Sequence, residues 1–345
     1  MREKFSSIER VIGSNNQDLP ERERKEISES MEFIFKNQDV YKKSLLEAYG
    51  KVDDIPDEFV RIIFFEREKT SEEERIIDFA NKKTNELRKK YGLLELNIPL
   101  KNVYVVPKEA PWPKNFQTKS YYNPLGQFIV LSEERKKKLN NSNLVFAEDV
   151  LHEMMHFKSY NSIQKSNSDS YFGYRSGLRI SKKNNIRGAY FGNLDEAVVE
   201  ELTMEVINNS KNDPLFKKEV EQTNGIKQFF TSQKTSEGEP AITGEEYYMN
   251  IDQENLTLWS AQFGRIRERK ILNKLIGKIY HNNSEMFKDE KEVFGLFAEA
   301  VMTGRIVRLG RLIDKTFGKG TFRKIAELDD NIDLQEEYIE NLKFK

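Results

Sequence analysis

His152-Glu153-Met154-Met155-His156 is the stretch of this chain whose residue types and spacing carry chemistry. On a helix, two histidines four apart project from one face about a turn apart, so both imidazoles can bind one metal ion. The glutamate between them can reach a water on that metal and act as general base. The chain holds only 3 histidines, so two of them bracketing a glutamate at this spacing form a strong signal. The chemistry indicated is zinc-dependent hydrolysis, with a peptide bond as the first candidate substrate.

A catalytic zinc usually takes three protein ligands and keeps one position open. With His152 and His156 as two, the third must be the remaining histidine or a carboxylate. The strongest candidate is Glu196, in Leu194-Asp195-Glu196-Ala197-Val198-Val199-Glu200, near the start of an expected helix. Glu200 follows one turn later on the same face, where it can accept a hydrogen bond from an imidazole N–H and fix that ring. The competing reading is a charged amphipathic helix that shows its glutamates to water. His281, in Tyr280-His281-Asn282-Asn283, sits in a helix-end context and reads as a surface or capping residue rather than a ligand.

In these residues the chain resembles the gluzincins, the thermolysin-like group of HExxH zinc peptidases. Their third ligand is a glutamate on a downstream helix, within an Asn-Glu-x-x-x-Asp motif. Here the pattern is Asp195-Glu196-x-x-x-Glu200, so the flanking Asn and the later Asp are both replaced. The resemblance spans about residues 99–208. It implies a zincin-like catalytic domain holding one Zn2+ per chain through His152, His156 and Glu196. It implies amide hydrolysis in which Glu153 takes a proton from the activated water and delivers it to the leaving amine. An edge strand at 127–131 pairing with extended substrate is implied as well. So is a donor to the oxyanion, for which Tyr174, Arg175, Tyr247, Tyr248 and His281 are the candidates.

The elements that must position these groups are partly legible. A cap and acidic first turn at Thr70-Ser71-Glu72-Glu73 open a helix that Gly92 can stop. Residues 102–106 and 127–131 read as strands. The pentad helix is expected from Asn141 or Ser142 to Tyr160, with Leu144, Ala147, Leu151 and Met155 as its buried stripe and Met154 and Met155 as core filler. Glu148 and Asp149, just before the pentad, read as exposed charge or as support for the site. Residues 171–180 and 187–191 suggest one hairpin turning at 181–185, followed by a helix over 194–208. Residues 233–245 read as an exposed loop. Helical periodicity is expected over 256–280, 289–303, 305–317 and 333–343, and Gly318-Lys319-Gly320 as a helix stop rather than a phosphate loop.

Composition bounds the rest. With 345 residues the chain can bury a sizeable core, and 56 basic against 57 acidic side chains leave no basic excess to suggest nucleic acid. The run Arg135-Lys136-Lys137-Lys138 reads as solvated surface. There is no cysteine, which excludes disulfides, a Cys-ligated zinc and a thiol nucleophile. With neither a signal-peptide core nor an apolar span, a cytoplasmic location without membrane contact is expected.

The architecture expected is α+β, mainly helical with a small, mostly antiparallel sheet. Residues 1–70 would form a helical N-terminal extension, 71–210 a zincin-like catalytic core, and 211–345 a helical C-terminal lobe. Two rival functions stand beside the peptidase: a non-catalytic metal-binding or interaction protein on the same scaffold, and a zinc hydrolase of a non-peptide amide or ester.

Overall fold

Val103-Tyr104-Val105-Val106 and Phe128-Ile129-Val130-Leu131 are apolar at every position, and such strands need cover on both faces. In the computed structural model they have it. The structure describes residues 6–14, 17–113, 120–167, 170–182, 185–230, 245–252 and 257–343, without the side chains of 185–187. β2 (Val103–Val106) runs parallel to β4 (Phe128–Ser132), and β3 (Tyr121–Asn123) pairs antiparallel on β4's other side. Val103, Val105, Ile129 and Leu131 face the main core; Tyr104, Val106, Phe128 and Val130 join Ile62 and Ile63 on the opposite face.

That second face corrects the expectation of an all-helical extension over residues 1–70. The segment begins with a strand, β1 (Ile8–Ile12), which lies parallel to β5 (Asn161–Lys165), directly after the pentad helix. Helices α1 (Glu21–Lys36), α2 (Gln38–Tyr49) and the short α3 (Glu58–Arg61) follow. Gln38 donates to Gly126 O at 2.8 Å, and Phe35 packs on Phe157 with ring centroids 6.0 Å apart. The segment thus closes the outer side of the sheet, and one apolar cluster runs from Phe35 to Ile339.

α4 (Ser71–Lys90) starts with the capping box read from Thr70 and Glu73. It packs along α6 (Asn143–Lys158), the pentad helix, while α5 (Glu133–Lys138) leads in from β4. α6 is buried on nearly all sides: besides the expected stripe, Val145, Phe146, Val150, Met154 and Phe157 have no more than 1% exposure. After β5 the chain forms a meander rather than one hairpin: β6 (Tyr171–Ser176), β7 (Arg179–Lys182) and β8 (Asn185–Tyr190). The first expected run breaks at Gly177, whose φ of +56° suits a turn and not a continuing strand. The five-stranded sheet has the order β1-β5-β6-β7-β8.

α7 (Gly192–Asn209) carries Glu196 and begins two residues earlier than expected. α8 (Lys217–Phe230) precedes the strand pair β9 (Glu246–Ile251) and β10 (Leu258–Gln262). β10 corrects the helix expected from 256; the helix itself, α9, spans Ile266–Asn282. The loop expected at 233–245 lies, but for residue 245, outside the described residues. α10 (Glu290–Thr303), α11 (Ile306–Phe317), α12 (Thr321–Glu327) and α13 (Ile332–Glu340) complete the chain, with Gly318 ending α11 and Gly320 preceding α12. Helix predominates among the described residues and the sheets are small and mostly antiparallel, which is the mixed, mainly helical class expected. No helix among the described residues is long and apolar enough to cross a membrane.

Candidate metal centre

α6 and α7 pack against each other, and their facing turns bring His152, His156 and Glu196 together. His152 Nε2 lies 3.2 Å from His156 Nε2, and the imidazole rings stand edge to face. Glu196 Oε2 is 3.4 Å from His152 Nε2, and Glu196 Oε1 is 3.7 Å from His156 Nε2. Two donors each about 2.0–2.1 Å from a tetrahedral zinc lie about 3.3–3.4 Å apart. The separations, of which the two to Glu196 involve different carboxylate oxygens, are of the size one such ion requires, and the His2Glu donor set is one that zinc takes in hydrolytic sites.

Both rings are backed by a carboxylate. Glu200 Oε2 sits 2.8 Å from His152 Nδ1, the contact that holds the proton on Nδ1 and turns the Nε2 lone pair inward. Asp195 Oδ2 stands 3.5 Å from His156 Nδ1. These carboxylates are fixed in turn. Gly264 N donates to Glu200 Oε1 at 2.6 Å, and Leu178 N donates to Asp195 Oδ1 at 2.7 Å. Arg265 Nη2 makes an ion-pair contact of 3.0 Å with Glu196 Oε2. Arg265 precedes α9 with φ +52°, a left-handed backbone costly for an arginine, of the kind that concentrates at functional sites.

The electrostatics follow from this packing. Burial alone would lower the His152 imidazole, but Glu196 and Glu200 raise it well above the usual histidine value. His156 moves in the same direction, with Glu196 as the main cause set against burial. Glu196 is pushed up by burial, yet the two imidazoles hold it well below the ordinary carboxylate range. Burial raises Glu153. It also raises Asp195, to about 6. A general base that must hold a proton during turnover benefits from an upward shift of the Glu153 kind.

The centre opens into a cleft of about 890 Å3. Glu153 lines it, as do Tyr121 and Tyr122 of β3 and Arg179 of β7. β4 is the middle strand of its sheet and is buried at every position, so residues 127–131 cannot be the edge expected to meet substrate. The edge strand of this sheet that borders the cleft is β3. Among the five oxyanion-donor candidates, Arg175 alone lines the cleft within the described residues. Its guanidinium is engaged with the carbonyls of Gly177 at 2.8 Å and Gly304 at 2.9 Å. Tyr247 is buried and receives a hydrogen bond from Arg135 at 3.0 Å; Tyr248 is buried too, and His281 lies in the last turn of α9.

The sequence reading missed several supports. Glu148 is not exposed: it is 4% accessible and ion-paired to Arg135, which also reaches Asp149 at 2.6 Å. Lys136, from the same basic run, is buried and donates to Glu73 at 2.8 Å. Only Lys137 and Lys138 behave as solvated surface. Arg265 and Gly264 carried no signal beyond a Gly-Arg pair before an apolar helix. Asp195 stood beside Glu196 in sequence, but its reach to His156 depends on how α6 and α7 cross.

Compared with known proteins, the chain matches no family model, no curated protein and no solved structure.

Proposed function

We propose that this chain is a zinc-dependent peptidase of gluzincin type, with a zincin-like core holding one Zn2+ through His152, His156 and Glu196 and acting in the cytoplasm. The observation that carries the reading is the convergence of two Nε2 atoms and a carboxylate at 3.2 to 3.7 Å, with a second carboxylate behind each ring. Zinc in such a site supplies a Lewis acid that polarises a carbonyl and makes water a nucleophile near neutral pH. Glu153, on the same helix face region and bordering the cleft, accepts the proton of the attacking water and passes it to the leaving amine. Glu200 keeps the His152 imidazole oriented by its hydrogen bond, and the Asp195 carboxylate stands behind that of His156. β3, rather than β4, is the strand beside which an extended peptide can lie.

The test is elemental analysis of the purified protein and its Glu196→Ala variant, with chelated controls, followed by a peptide panel. About one zinc per chain, much weakened in the variant, together with peptide cleavage abolished by chelation, is expected. Absence of zinc after reconstitution would return the weight to an interaction protein; zinc without cleavage of any peptide would favour a non-peptide amide or ester.

A further inference from the structure

The charges around the cleft are almost all matched within the protein. Arg135 is taken by Glu148 and Asp149, Arg265 by Glu196, and Lys138 by Glu134 at 2.7 Å. Arg175 has no carboxylate partner, but it is half-buried, with two carbonyls accepting from Nε and Nη1 and the Tyr160 ring 4.7 Å from its guanidinium, while Nη2 is left without a partner. Arg179 is the exposed one: it lines the cleft and makes no hydrogen bond or ion pair among the described residues, although its charge acts through space on Asp195.

Its place is nevertheless fixed. β7 is flanked by β6 and β8, so its backbone is tied on both sides. The turn before it, Gly177-Leu178, is seated on α7, because Leu178 N donates to the Asp195 carboxylate. A Cβ at Gly177 would come within 2.2 Å of that carboxylate, so the turn has no room to slip. Asp195 also faces His156, and it thereby sets Arg179 in a defined relation to the metal ligands. Ser176, paired across the strands with Arg179, and Ser181, two residues on, line the cleft beside it, so this wall is polar. A free guanidinium on a rigid polar wall is a fork built for a carboxylate.

We propose that Arg179 determines specificity in this cleft, and that the preferred substrates carry a carboxylate, from an acidic side chain or a free C-terminus, which pairs with its guanidinium. The inference rests on the peptidase reading for where substrate lies, and extends it to a substrate class. A charge-assisted pair of this kind corresponds to about 10-fold to 100-fold in selectivity.

The experiment uses the full-length zinc-loaded protein and peptides matched in pairs, Asp or Glu against Asn or Gln, each with a free or an amidated C-terminus. Peptides that carry the recognised carboxylate should be cut with a kcat/KM about 10-fold to 100-fold higher. A drop on amidation with the side-chain pairs cut equally assigns that carboxylate to the C-terminus, and a gap between the side-chain pairs that survives amidation assigns it to a side chain. Arg179→Gln should flatten the preference and Arg179→Glu should turn it toward Lys or Arg, while zinc content stays unchanged. Equal cleavage by the wild type of acidic and amide members, free and amidated alike, or an unaltered carboxylate preference in Arg179→Glu, overturns the proposal. If no peptide is cut, the peptidase reading fails and a binding measurement decides this one. N-acetylglutamate should bind the wild type more tightly than N-acetylglutamine amide, which has no carboxylate, with the difference lost in Arg179→Gln; equal binding of the two by the wild type overturns it.

Discussion

α6 and α7 supply the same centre in different ways. α6 carries both histidines at i and i+4, so the helix itself sets their separation, and burial on all sides holds it still. α7 brings three of its carboxylates to the centre, and each is steered from outside: Asp195 by Leu178 N, Glu196 by Arg265, Glu200 by Gly264 N. Their starts differ similarly. α6 has its own cap, Ser142, whose hydroxyl accepts from Val145 N, reinforced by Glu219 of α8 on the amides of Asn143 and Leu144. α7 begins after Phe191 in a left-handed conformation, and its first amides, Gly192 and Asn193, are met by Asp329 from beyond α12. One helix presents chemistry written into its spacing; the other presents chemistry that its neighbours complete.

The comparison can be tested in order of expected effect. Glu153→Gln should lower turnover by about 10^2-fold to 10^4-fold while leaving zinc stoichiometry unchanged. A variant that still turns over would remove Glu153 as the base and break the assignment of the proton transfer to α6.

Next comes pH. Metal binding needs neutral imidazoles, and the carboxylates of α7 raise both above the usual histidine value in the metal-free chain. Protons therefore compete with zinc from above pH ~6.5 downward. Affinity should fall as the pH drops, by up to about tenfold per unit for each proton displaced. Glu200→Gln removes one of the carboxylates raising His152, so it should move this fall to lower pH. A zinc affinity flat between pH 8 and 6 would contradict the coupling of the two helices.

Removing a carboxylate behind a ring is smaller still at neutral pH. Glu200→Gln and Asp195→Asn should each weaken zinc by about 10-fold to 100-fold. Glu200 has the shorter contact, 2.8 against 3.5 Å, so its variant should lose more. Competition titrations with a chelating dye measure this, and the reverse ranking would make Asp195 the principal support.

The caps give the smallest effects. Glu219→Gln and Asp329→Asn should each cost about 1 kcal/mol in unfolding free energy. Because α6 retains Ser142 whereas α7 has no side-chain cap of its own, Asp329→Asn should be the more destabilising of the two. Equal denaturation midpoints would show that the helix starts do not differ as their geometry says.

Much of α6 was legible because its information is local. The Ser142 cap, the i, i+4 histidines and the apolar run lie within seventeen residues, and helical geometry alone converts that spacing into a face. The same holds for α4 with its capping box and for the strands β2 and β4, whose unbroken apolar runs fixed their type. What those runs could not say was which side would be covered by what. β1 pairs with β5 from more than a hundred residues away, and Ile62 and Ile63 cover the outer face of the β2-β4-β3 sheet, contacts that no periodicity encodes.

The carboxylates of α7 mark the boundary between the two kinds of information. The sequence by itself determined that Glu196 and Glu200 share a helix face, because 3.6 residues per turn requires it. Only the tertiary structure decided that this face meets the histidines, and that Asp195 reaches His156. It likewise brought Gly264 and Arg265 from the β10–α9 corner onto the same carboxylates, and made β3 rather than β4 the strand at the cleft. Those outcomes depend on how helices cross and which strand is left at an edge. Both are set by the summed packing of distant side chains rather than by any local pattern.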